Sequence, residues 1–293
     1  MFEQLLFTWA PQGPIGPGFQ PVAATARLAD PHSDLAQAAV RFCRYARPAG
    51  LDDPATAPVS YGWANVGPDR VVFRRGYLGL DANGRPGNFY AHILVGPAAA
   101  APAVELARRF DSAFWWRGEP VADYLARFGA RFDAVRLADV APGPLPEVGE
   151  TDLVAFTDAV FGALGEVPVV LPHAPATVAE LVGALSRRLP GALERLSVST
   201  YEHLDTAAEF DIVGMGGSAS VPAGAFIVAP RQTSGHALRA RRVALSQQRE
   251  DRHVVVMALA TAGENGRPRL PLVVQQLGEL SELAAGGSVD AAL

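Results

Sequence analysis

The stretch RVVFRRGYLGLDANGRPGNFYAHILVG, residues 70–96, holds the clearest local signal in the chain. Two runs dense in β-branched and aromatic residues flank a turn that contains Asn83-Gly84. Two-residue hairpin turns need positive φ at both central positions, and Asn-Gly supplies it at little cost. The spacing therefore predicts strands over 70–81 and 87–96, paired as a hairpin. Just upstream, SYGWANV alternates weakly and predicts a third strand.

Near the start, EQLLFTW (3–9) and GFQPVAATA (18–26) read as two more strands, joined by a loop rich in glycine and proline. Such a loop invites a phosphate-binding reading. A phosphate cradle needs several backbone N–H groups converging at a helix start, and often a lysine. Pro11, Pro14 and Pro17 each lack an N–H, and the loop leads into a strand-like run rather than a helix. A rigid hairpin tip is the better reading.

Helices are predicted around these strands. DPHSDLAQAAVRFCRYA (30–46) has an Asp-Pro start and apolar residues at Leu35, Val40 and Phe42. AVELARRFDSAFWW (103–116) is a second, and PVADYLARFGARF a third or its continuation. Residues 141–150 lie in a proline-rich run without periodicity and are read as a linker. Beyond it, TDLVAFTDAVFGALGE places Leu153, Phe156, Val160 and Leu164 at helical spacing, with Thr151 as the expected N-cap. VPVVL reads as a buried strand and TVAELVGALSRRLP as a helix capped at Thr177. RLSVSTY and EFDIVGM read as strands, GHALRARRVALSQQ as a helix and RHVVVMALATA as a strand. The expected fold class is α+β: a β-rich domain over 1–140, with hairpins and two or three helices, then a smaller α/β domain over 151–293.

Composition excludes several chemistries. The 293 residues carry a net charge of −5, and all 25 basic residues are arginine. Without lysine there is no Schiff-base lysine and no P-loop lysine. Residues 1–145 hold 14 arginines against 13 acids, and the remainder 11 against 17. Neither half has the basic field expected of a partner of nucleic acid or of an anionic membrane. Cys43 is the single cysteine, so an internal disulfide and a CxxC zinc site are both ruled out, and a reduced, cytoplasmic setting is expected. Glu3 and a short apolar run argue against a signal peptide, and no run of apolar residues is long enough to span a bilayer.

Few residues suggest catalysis. His92, with Arg85 across the predicted turn, is the only local grouping of a histidine, an arginine and polar turn residues. Acid–base work or ligand sensing around Gly84–His92 is one reading; a half-buried structural histidine is the other. The remaining histidines lack HExxH, HxH or HxxxH spacing, so neither metal nor cofactor is expected. GMGGSAS (214–220) does not match a dinucleotide fingerprint. AFWWRG gathers Trp115, Trp116 and Arg117, a composition found both in cores and at the centres of protein interfaces.

QLLFTWAPQGPIGPGFQPVAAT and YLGLDANGRPGNFYAHILV together resemble the N-terminal domain of a bacterial family, GTPase-associated protein one. VVLPHAPATVAELVGALSRRLP followed by RLSVSTYEHLDTAAEFDIVG resembles that family's middle domain. The resemblance implies a non-catalytic adaptor in GTPase-centred bacterial conflict systems, with a GTPase encoded nearby as partner. A self-associating homo-oligomeric scaffold and an enzyme or sensor using His92 are the alternatives. Family members continue into a further C-terminal region, whereas this chain ends at GGSVDAAL, so it is expected to be a fragment or a short member.

Overall fold

A computed structural model describes residues 1–215 and 226–227, except 12–15, 49, 82–83, 85, 121–122, 124–128, 164–168, 189–190, 192 and 204–208. The first five strands are β1 (Glu3–Ala10), β2 (Gly18–Ala24), β3 (Ser60–Val66), β4 (Asp69–Leu80) and β5 (Pro86–Pro97). They lie within a residue or two of their predicted positions. Each pairs antiparallel with its neighbours, in the spatial order β2-β1-β5-β4-β3. The β4–β5 register runs from Asp69↔Pro97 to Leu80↔Pro86 and slips at Gly79, where φ is +88°.

Four short strands continue the sheet beyond β3: β7 (Val198–Ser199), β8 (Ile212–Gly214), β6 (Val169–Leu171) and β9 (Phe226–Ile227). β7 joins β3 antiparallel through Gly62↔Ser199 and Trp63↔Val198. The pairs β7–β8, β8–β6 and β6–β9 are parallel. The molecule is thus a mixed α/β fold in which the parallel strands extend the antiparallel sheet.

The seam between the two kinds of pairing depends on glycine. A Cβ at Gly62 would collide with the Val198 carbonyl oxygen and stand 2.8 Å from the Phe73 ring. A Cβ at Gly214 would collide with the Thr200 carbonyl oxygen. Both are close backbone approaches that any side chain would block.

Helices cover both faces. α1 (Asp34–Arg41) is capped by Ser33, whose Oγ accepts the Ala36 N–H at 3.2 Å. Asp30 instead closes the preceding turn by accepting the His32 N–H. α1 lies over the face formed by Leu5, Val71, Phe73, Ala91 and Ile93. On the other face sit α2 (Ala103–Ala107), α3 (Glu150–Ala163) and α4 (Pro175–Arg188), packed with Tyr61, Trp63, Val72 and Leu94. That core draws on both halves of the chain. Helix α2 is shorter than predicted: residues 108–116 leave it as turns, because Trp115 and Trp116 are pulled into the core. α3 begins at Glu150 and α4 at Pro175, so Thr151 and Thr177 fall inside their first turns rather than capping them.

The proline-rich run is a packed strap. Val140 is fully buried, Leu145 and Val148 rest on the core, and Gly143 donates its N–H to the Arg108 carbonyl at 2.9 Å. Two arginines of β4 tie the later chain to the sheet. Arg70 reaches Asn65, Ala101 and the Glu194 carboxylate. Arg75 pairs with Glu202 and bonds the Ser60 hydroxyl at 2.7 Å and the Arg44 carbonyl at 2.6 Å, with its guanidinium over the Phe73 ring. Arg75 and Glu202 are both almost fully buried, so each needs the other to offset its lost hydration.

Candidate functional site

Side-chain alternation explains what the sheet displays near the β1–β2 and β4–β5 connections. Phe7 and Trp9 project from one face of β1, and Phe19 and Pro21 stand opposite them on β2 in the pairs Trp9↔Phe19 and Phe7↔Pro21. On β5, Phe89 lies on the same face. The three phenyl rings stack: Phe19 to Phe89 at 4.4 Å and 15°, Phe7 to Phe89 at 6.2 Å, and Phe7 to Phe19 at 6.4 Å. Phe7 packs on the core that also holds Ala36 and Ala39 of α1, and Phe19 is 38% exposed. Next to the stack is a cleft of about 390 Å³. Trp9, Pro17 and Phe19 form one wall, and Asp81, Pro86, Gly87 and Asn88 the other. Its volume is in the range of ligand-binding clefts. Gln20 Nε2 donates to the Gly16 carbonyl at 2.6 Å.

Two polar groups give the cleft its character. Asp81 stands at the rim. The Asn88 Oδ1 is sealed in the wall with no hydrogen-bond partner, a state that costs about 1–3 kcal/mol in desolvation. Across Gly79 lies Pro54, within the loop that also carries the exposed Asp52 and Asp53. Arg47, near that loop, is held by Asp52 at 3.0 Å and by the Leu51 carbonyl, with its guanidinium over Tyr77.

His92 is elsewhere. It lies on the opposite face of β5 and is 1% exposed, about 13 Å of extended strand from Asn88. Its Nδ1 accepts the Trp116 backbone N–H at 3.2 Å, and its Nε2 faces the Gln4 Oε1 at 3.4 Å. Gln4 donates its own amide to the Asp133 carbonyl, so its oxygen is an acceptor and the His92 proton sits on Nε2. The ring stacks on Phe114 and meets Trp115 edge-on. Burial, reinforced by the nearby Arg74 charge, pushes the His92 pKa down to about 3. The histidine is a neutral core residue without access to a substrate. Arg85 lies outside the described residues, as do Asn83, most of GMGGSAS, and the predicted helix and strand after residue 227.

Trp115 and Trp116 are each 2% exposed. Trp115 donates its indole N–H to the Arg109 carbonyl at 2.7 Å. Both indoles are therefore core, which corrects the interface reading. Only Arg117 of the three reaches the surface, where it pairs with Asp111 at 2.8 Å. Cys43 is buried, and desolvation raises its thiol pKa well above the ordinary range, so it remains an inert thiol. Among the described residues, no cluster of His, Cys, Asp or Glu could hold a metal ion, and no helix is long and apolar enough to cross a membrane.

Sequence reasoning missed the cleft because its walls come from two hairpins about 70 residues apart. A signal was available: aromatics at i and i+2 in Phe7 and Trp9, with Phe19 placed opposite Trp9 across the hairpin.

Residues 1–127 match the family described as GTPase-associated protein 1, N-terminal domain type 2. A protein of Mycolicibacterium smegmatis strain MKD8, provisionally named ESX-1 scaffolding and assembly protein SaeB, is 30% identical over 234 residues. The match takes in 70% of this chain and 27% of that protein. SaeB of strain mc(2)155 is 30% identical over 179 residues, 53% of this chain and 21% of that protein. The chain thus spans about a quarter of the length of these curated relatives, and its residues 1–127 are similar to the GTPase-associated N-terminal domain type 2.

Proposed function

We propose that this chain is a non-catalytic adaptor or scaffold module that docks on a GTPase encoded nearby, with residues 151–293 forming the family's middle domain. The observation that carries the reading is the partly exposed aromatic stack, with Phe19 at its surface, beside the hairpin cleft. Exposed aromatics beside a concave, partly polar surface are a costly arrangement for a free surface and a favourable one for a partner. The family match over residues 1–127 supports a GTPase as that partner, and the scaffolding name of the SaeB relatives supports an assembly role. The burial of His92 removes the best catalytic candidate from solvent.

Co-purification with the neighbouring GTPase tests the reading, in the nucleotide-free state, with GDP and with a non-hydrolysable GTP analogue. Association in at least one state is expected, with an affinity that differs between states. Failure to associate in all three overturns it.

A further inference from the structure

We propose that Arg74 of β4 is an anion-binding residue, and that the unbonded edge of its guanidinium receives the carboxylate of a ligand on the face of the sheet opposite α1. The site neither uses the hairpin cleft nor depends on a GTPase partner.

Alternation along β4 sends Arg75 towards α1 and Arg74 to the other face, where it stands opposite His92 in the β4–β5 register. The two arginines are alike in burial, at 2% and 6% exposure, and differ in what answers their charge. Arg75 has the Glu202 carboxylate. Among the described residues no carboxylate pairs with Arg74. Both of its hydrogen bonds leave from Nη1, to the Tyr90 hydroxyl and to the Trp116 carbonyl at 3.3 Å. Its Nε is sealed from solvent without a partner, and Nη2 makes no hydrogen bond to the described residues. Nε and Nη2 form the edge of a guanidinium that takes a carboxylate through two parallel bonds. An arginine cannot escape burial by losing its proton, although desolvation lowers the proton affinity of Arg74. A buried cation without a counter-ion is among the costliest arrangements in a folded chain, and a bound anion removes that cost.

The surroundings select the anion. Arg117 and Asp111 act on Arg74 with opposite sign, and they are committed to each other at 2.8 Å. Both are surface residues, with side chains 48% and 38% exposed, so the guanidinium lies close to solvent. One positive charge is thus left to answer. A monoanion balances it, whereas a phosphate dianion would bring a second negative charge into a poorly hydrated site. The same face carries Leu78, Tyr90 and Trp116, and the Arg74 guanidinium lies 5.9 Å from the Tyr90 ring centroid. A carboxylate on a short, largely apolar stem suits both the fork and its setting.

The test is a titration of the full chain with sodium acetate, sodium chloride and inorganic phosphate at matched ionic strength, followed by the Arg74 Nε–Hε resonance, which is assigned by its loss in Arg74→Met. The peptide acetyl-Gly-Glu-Gly-amide, added in a parallel series, separates a protein side chain from a free small carboxylate as the source. A saturable shift with acetate or with the peptide, half-complete at about 10 mM or below, and none with chloride, is expected. The carboxylate that binds should also raise the thermal midpoint of the wild type beyond the effect of chloride and fail to do so in Arg74→Met. That variant should fold, because an apolar side chain of similar length replaces an unpaired buried charge. Arg74→Lys keeps the charge and loses the planar fork, and should weaken binding by about tenfold or more. A resonance that neither carboxylate moves, or that chloride moves equally, overturns the proposal. Tighter binding of phosphate than of acetate and the peptide overturns it as well, by removing the carboxylate as the ligand group.

Discussion

The antiparallel strands β1–β5 and the parallel strands β6–β9 share one sheet but are built on different terms. The antiparallel strands run 7–12 residues and are joined largely by hairpins, so their pairing is set by local turns. The parallel strands run two or three residues. Their place in the sheet is set by α3 and α4 packing over them and by contacts with the antiparallel part. The difference teaches that the second region borrows its order from the first, across β3–β7 and the buried Arg70 and Arg75 contacts.

The sharpest way to break that dependence is at the seam. Gly62→Val drives a side chain into the Val198 carbonyl and the Phe73 ring. It should cost more than about 4 kcal/mol in urea unfolding, a size reserved for backbone clashes in a core. Protection of β6–β8 amides from hydrogen exchange should be lost before that of β4–β5. Equal loss in both regions would show that the two are one cooperative unit.

Next in size is the buried pair. Glu202→Gln leaves Arg75 as an uncompensated buried charge and should cost about 3–5 kcal/mol. The double variant Arg75→Met/Glu202→Leu should recover much of this, because removing both charges also removes both desolvation costs. A double variant as unstable as the single one would mean that the Ser60 and Ser199 hydroxyls, not the charge pair, hold the junction.

Acid should act first on the antiparallel region. His92 binds a proton near pH 6.5 in the unfolded chain but only near pH 3 in the fold. Between these values the unfolded state holds more protons, so stability rises with pH across the window and is lost as pH falls from about 6.5 towards 3. The full effect is on the order of 5 kcal/mol. His92→Gln should flatten this part of the stability–pH curve; an unchanged slope would place the acid sensitivity elsewhere.

The smallest stability effect belongs to the cleft. Phe19→Ser removes a partly exposed ring and should cost about 1 kcal/mol or less, measurable as a midpoint shift in urea. A larger loss would mean that the stack is part of the core rather than a surface for partners.

Much of the antiparallel region was legible in the sequence. Asn83-Gly84, the β-branched runs and the aromatic alternation each carry strand information within a few residues. The parallel strands were found as apolar patches, but VPVVL or DIV alone cannot reveal which strand lies beside it. The helix starts moved because Ser33, not Asp30, meets the geometry of an N-cap, and because tertiary packing extended α3 and α4 past their expected caps. The catalytic reading of His92 was right about the strand and wrong about the face: Tyr90, His92 and Leu94 all point inward, and Phe114 and Trp115 close over the imidazole. The cleft was invisible because its two walls meet only after the sheet has formed.

The close fit at Gly62 bears on how the protein can be dissected. A polypeptide ended at residue 127, where the family match stops, would lack β7 and leave the outer rim of β3 bare, with Trp63 uncovered beneath it. Naked strand borders of that kind recruit other chains. Expression trials that trim to the matched segment should therefore yield clumped material.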